Sequence, residues 1–290
     1  MSQKIAVAII HGVGKQDRYF ADGMSREITD RFVNHIRKKN NKIQNPSEEL
    51  VIEPIYWAPV LQNSEDELWK RLNRGGDMDL LTLRQFLIDF GADAIAYQPT
   101  KKDSHIYEEI HKIFAQKLKK LAEGAGDTAP LCIIAHSLGS VIASNYFYDL
   151  QQPGTRKIPS IVKKEIANTL LEMGKTFTSL YTFGSPIAIW SLRYKDFGKP
   201  ISVPSTNLRK HYSNLTGEWI NFYDKQDILG YPLKTLNDAY RKAVTEDIEV
   251  NVGGIFTSWN PASHMAYWTD NDITKPIARS LANVWEAVNP

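Results

Sequence analysis

The chain has 290 residues, 42% of them hydrophobic, with 35 Lys and Arg against 33 Asp and Glu and a formal net charge of +2. Its mean hydropathy is −0.36, which suits a soluble globular protein able to bury a substantial core, read here as a single α/β domain over residues 1–290. The balanced charge gives no overall field to gather nucleic acid or an anionic membrane. A single cysteine, Cys132, excludes an intramolecular disulfide and any cysteine-rich metal site. No apolar run approaches a membrane span and no cleavage-site pattern follows the first strand, so a cytoplasmic location is expected.

Residues 4–10 form a continuous apolar run, which predicts a strand buried on both faces of a mainly parallel sheet. From Asp17 to Lys39, Phe20, Met24, Ile28, Phe32 and Ile36 recur every four residues and draw the apolar stripe of a helix; the basic cluster at 37–42 reads as its solvated end. Residues 51–57 predict a second strand, at an edge or bulged because of Pro54. Segments 60–100 and 187–215 are irregular and are candidate insertions or lid segments, the first of them helical. Ser104 is expected to cap a helix carrying Ile106, Ile110, Phe114 and Leu118 up to Gly124. Further strands are expected at 131–135, 177–183, 219–223 and 247–252, and further helices at 161–173, around 233–243 and at 274–288. Strands alternating with helices predict a doubly wound, mostly parallel sheet with helices on both faces.

The stretch IIAHSLGSVIAS at 133–144 runs from an apolar strand through Ser137 into a helix. A serine at such a turn has its hydroxyl thrust clear of the backbone, provided that the residues two before and two after are small; here they are Ala135, where glycine is usual, and Gly139. The helix N-terminus turns unpaired amides toward the place where an oxyanion would form, so Leu138 N–H is one expected donor. The loop HGVG at 11–14 supplies the other, Val13 N–H before Gly12. That loop is not a phosphate cradle: Ile9 stands where a P-loop needs glycine, Gln16 where it needs Ser or Thr, and Asp17 where a dinucleotide fingerprint needs its third glycine.

A serine nucleophile needs a base, and the base needs an acid to orient it. Of the two histidines after Ser137, His264 lies in a turn-like stretch after the last strand, whereas His211 has the setting of a surface residue. Asp224 and Asp227 follow the strand at 219–223; Asp227, shielded by Ile228 and Leu229, is favoured as the acid and Asp224 is the runner-up.

Taken together, HGVG, AHSLGS, YTFGSP at 181–186, NFYDKQDILGYP at 221–232 and SHMAYW at 263–268 resemble, in content and order, the lipase-like branch of the α/β-hydrolase superfamily. The resemblance implies a serine hydrolase that cleaves a carboxylic ester through Ser137, His264 and Asp227 and an acyl-enzyme intermediate, with no metal or organic cofactor. Thioester or amide cleavage uses the same machinery, and a non-catalytic binding or scaffold protein on this fold is the alternative of another class. Trp57, Phe256, Trp259, Tyr267 and Trp268 are expected near the site and would suit an apolar, lipid-like acyl group.

Overall fold

A computed structural model describes residues 2–14, 16–39, 43–62, 66–67, 71, 82–100, 103–152, 158–252, 264 and 266–290, with backbone alone at 82–89. Its centre is a six-stranded sheet of β1 (Ile5–Ile10), β2 (Leu50–Ile55), β3 (Leu131–His136), β4 (Phe177–Phe183), β5 (Glu218–Tyr223) and β6 (Glu246–Glu249). The strands lie in the order β2-β1-β3-β4-β5-β6, and every pairing is parallel. β1, β3 and β4 are buried at every position, as expected of strands covered on both faces. Pro54 sits on the edge strand β2 opposite Ile9, where a missing N–H is tolerated. The other edge, β6, reads Glu-Asp-Ile-Glu.

Two helices cover one face. α1 (Asp22–Lys39) buries Met24, Ile28, Phe32 and Ile36, and α8 (Asn271–Val288) packs beside it with Ile273, Ile277, Leu281 and Trp285. Such a stripe contributes roughly 1.5–3 kcal/mol per fully buried large side chain. The opposite face carries α3 (His105–Ala125) and α4 (Leu138–Gln151), with the short helices α5 (Ser160–Glu165), α6 (Ile187–Ser191) and α7 (Asp238–Ala243) around them. No helix among the described residues is long and apolar enough to cross a membrane.

Three expectations need correction. The helix expected over 161–173 stops at Glu165: Ile166 is extended, Asn168 has φ 65°, and the Glu172 carboxylate takes the Ala167 and Thr169 amides and the Thr169 hydroxyl. Local side-chain hydrogen bonds to the backbone have outcompeted the helix ladder there. Ser104 stands at the N-cap of α3 without capping it; its hydroxyl turns to the Glu108 carboxylate, and Asp103 accepts from the His105 amide. α1 starts at Asp22, because residues 17–21 form turns. Of segment 60–100, the structure shows α2 (Thr82–Tyr97) as a helix, while 63–65, 68–70 and 72–81 lie outside the described residues.

The chain runs from β1 to β2 on one side and then crosses to β3 on the other side of β1. Two neighbouring strands whose connections leave in opposite directions open a crevice at their carboxyl ends. The loop after β1 is HGVG and the turn after β3 holds Ser137, so the topology itself brings the two motifs together.

Candidate active site

Ser137 joins β3 to α4 with φ 50° and ψ −130°. A non-glycine residue in that region costs roughly 1–3 kcal/mol and persists only where its surroundings over-determine it. They do so here. The Ser137 amide donates to Phe183 O at 3.0 Å, and the Ser140 hydroxyl donates to Ser137 O at 2.6 Å while pairing with the Ser185 hydroxyl at 2.7 Å. A Cβ on Gly139 would lie 2.4 Å from His11 O, so only glycine lets α4 approach the end of β1. Ala135 is fully buried between Ile10 and Thr182 of the flanking strands. The Ser137 hydroxyl is buried and has no hydrogen-bond partner among the described residues.

The loop after β1 is held from both sides. Trp57 and Ala58 amides donate to His11 Nε2 at 3.1 and 3.4 Å, so the imidazole proton sits on Nδ1, which donates to Gly12 O at 2.8 Å. In a trans peptide C=O and N–H point in opposite directions, so anchoring the Gly12 carbonyl turns Val13 N–H away from His11. Burial lowers the His11 pKa from 6.5 to about 3, against the raising effect of the Gly12 carbonyl, and the ring stays neutral at physiological pH. Trp57 Nε1 donates to His11 O at 2.9 Å and the two rings stack. On the far side Gly14, at φ 80°, donates its amide to Asp93 of α2 at 3.0 Å, so the segment 60–100 is tied to this loop. Neither Val13 N–H nor Leu138 N–H has an acceptor among the described residues.

His264 Nδ1 lies 2.9 Å from both carboxylate oxygens of Asp227. Asp227 also accepts from the Leu229 amide and from the Tyr267 hydroxyl, each at 2.9 Å. Burial works against the Asp227 carboxylate, but the hydrogen bond and charge of His264, the Leu229 amide and Tyr267 outweigh it and hold its pKa below the usual value. Asp224 has a different role. Its oxygens accept the Gln226 and Val252 amides at 2.8 and 3.0 Å, and its own amide donates to the Tyr267 hydroxyl at 3.0 Å. A Cβ on Gly184, at φ 54°, would lie 3.0 Å from both Asp227 Oδ2 and His264 Cε1, so the turn after β4 packs directly on the pair.

Three residues of this arrangement were not singled out from the sequence for what they do. His136, the middle residue of Ala135-His136-Ser137, donates from Nε2 to His264 O at 2.8 Å; burial, with His264 beside it, holds its pKa well below 6.5. Tyr267 and His11 are the others. All three lie inside the motifs at 11–14, 135–140 and 263–268, which was the available signal, but their hydrogen-bonding roles were not read from it, and Tyr267 was taken only as an aromatic near the site. Trp57 and Tyr267 are buried, at 1% and 0% exposure, and bind protein groups rather than lining an open acyl surface; Phe256 and Trp259 lie outside the described residues. His211 is exposed, as expected. No known protein family matches the chain, and no curated protein resembles it at a significant level.

Proposed function

We propose that this chain is a serine hydrolase of the α/β-hydrolase superfamily that cleaves carboxylic esters, acyl lipids among them. The observation that carries the reading is Ser137 held at φ 50° and ψ −130° between a central parallel strand and a helix N-terminus, a strain that a structural serine has no reason to bear. The Asp227–His264 bond and the two amides without acceptors support it.

In this mechanism His264 Nε2 takes the proton of the Ser137 hydroxyl as Oγ attacks the ester carbonyl. Asp227 fixes the proton on His264 Nδ1 and stabilises the imidazolium. Val13 and Leu138 N–H groups receive the oxyanion. His264 then protonates the departing alcohol, and water, deprotonated by the same ring, releases the acid from the acyl-enzyme. Ser137 is fully buried, so turnover requires whatever covers it to open. Thioesters and amides would pass through the same steps.

The test is labelling of the purified protein with a fluorophosphonate, together with hydrolysis of aryl esters of increasing acyl length. Labelling and turnover that both vanish in Ser137→Ala are expected; a folded wild-type protein that neither labels nor turns over any ester overturns the reading.

A further inference from the structure

A cavity of ≈460 Å³ lies between α4, α6 and the turn at 194–199. Neither Ser137, Asp227 nor His264 is in its wall. It follows the face of α4 that bears Val141, Ser144, Asn145 and Tyr148, the stripe that starts one helical turn beyond Ser137. Its volume and aromatic lining are those of a small-molecule site. Trp190, Phe197, Tyr148 and Val141 all line it, and Trp190 Nε1 is buried without a hydrogen-bond partner among the described residues.

The outer wall is built under strain. Asp196, Phe197 and Gly198 have φ 52°, 58° and 70°, three successive left-handed residues of which two are not glycine. Asn237 holds them: its Nδ2 donates to Asp196 O at 2.8 Å and Gly198 O at 3.1 Å while its oxygen caps α7. Strain locked in this way marks a wall made for a purpose rather than a loose surface turn. The same wall carries Lys195 and Lys199, both exposed, and neither forms an ion pair among the described residues. Arg193 lies over the rings of Trp190 and Tyr194 beside it. Asp196 is the single carboxylate between residues 193 and 199.

We propose that this cavity binds an apolar chain bearing an anionic group, with the chain against the rings of Tyr148, Trp190, Phe197 and Tyr240 and the anion at Lys195 and Lys199. Resting on the serine-hydrolase reading, this makes the substrate an ester whose non-reacting part is an anionic amphiphile. Binding can be measured apart from catalysis, by titration calorimetry of the 290-residue Ser137→Ala chain with decanoate, decyl phosphate and decanol. Both anions are expected to bind at least about tenfold more tightly than decanol. Reversing charge with Lys195→Glu and Lys199→Glu together should erase that difference, and Ser144→Trp, which fills the cavity, should weaken all three ligands. Preference for decanoate over decyl phosphate, or the reverse, distinguishes a carboxylate from a phosphate headgroup. Equal affinity for decanol and the anions, no binding at all, or indifference to either set of substitutions overturns the proposal. Fluorophosphonate labelling of the wild-type protein reports the serine-hydrolase reading separately, so the two can fail independently.

Discussion

The two halves of the candidate site are built on opposite principles. Around Asp227 the hydrogen bonds are filled: the carboxylate takes His264, Leu229 and Tyr267, and Tyr267 in turn takes Asp224 N–H. Around Ser137 they are left open: the hydroxyl, Val13 N–H and Leu138 N–H have no partners among the described residues, although everything behind them is pinned. A buried polar group without a partner costs roughly 1–3 kcal/mol, and Ser137 adds backbone strain. The filled half fixes one proton and one orientation; on the proposed reading, the open half keeps its donors and its hydroxyl for a substrate.

The largest expected effect separates the two acids. Asp227→Asn should lower ester turnover by about 10⁴-fold by removing the charge and the preferred tautomer of His264, whereas Asp224→Asn should cost less than about tenfold in turnover and appear mainly as lost stability, since among the described residues its oxygens bond only to backbone amides. Comparable losses in turnover in the two variants would break the comparison. Next comes the clamp on the open half. His11→Phe releases the Gly12 carbonyl and should lower kcat by about 10²-fold with little change in KM, as for a misdirected oxyanion donor; an unchanged kcat in a folded variant would mean that Val13 N–H is not held by this route. Tyr267→Phe removes one of the bonds to Asp227 and should lower kcat by about tenfold, since a hydrogen bond to a charged group is worth roughly 1.5–3 kcal/mol and the other donors remain. Wild-type kcat would show that the filled half has bonds to spare.

A separate effect, on stability rather than on turnover, comes from the histidine that stays neutral. The folded pKa of His11 is about 3, against 6.5 unperturbed, so between these values the unfolded chain binds a proton that the folded chain refuses. Stability therefore falls with falling pH across that window, by up to about 1.4 kcal/mol per pH unit for this group. Urea midpoints at pH 7, 6 and 5 check the sign, and His11→Phe should flatten the slope.

The centre of the sheet was legible because strands buried on both faces are near-continuous apolar runs, as at 5–10 and 131–135, whereas 177–183 carries Thr178, Ser179 and Thr182 and was marked by its aromatic and β-branched residues and the Gly-Ser-Pro stop after it. The helix expected over 161–173 was not, because the spacing from Ile161 to Ile166 already departs from three or four residues and Glu172 writes its own hydrogen bonds. Segment 187–215 lacks periodicity for a related reason: its shape comes from left-handed residues held by Asn237, about 40 residues away in sequence. In the candidate site, Ser137, Asp227 and His264 could be named because each lies in a short-range motif, and the structure pairs Asp227 with His264. The bonds from His136 to His264 and from Tyr267 to Asp227 span 128 and 40 residues, and no local pattern encodes such contacts.

The ends of the sheet have a consequence for how this protein behaves among its own copies. A parallel sheet with two exposed margins is a template for further strands, and a margin that is long, flat and uncharged invites fibrils. Here one margin carries Pro54, which has no amide hydrogen to offer, and the other is a four-residue strand with Glu246, Asp247 and Glu249. Asp247 is already engaged by the Leu233 and Lys234 amides and by Asn221, and Glu249 by Lys225. A second molecule would have to desolvate carboxylates at one margin and meet a residue without an amide hydrogen at the other, which disfavours edge-to-edge polymerisation while the chain folds and at high concentration.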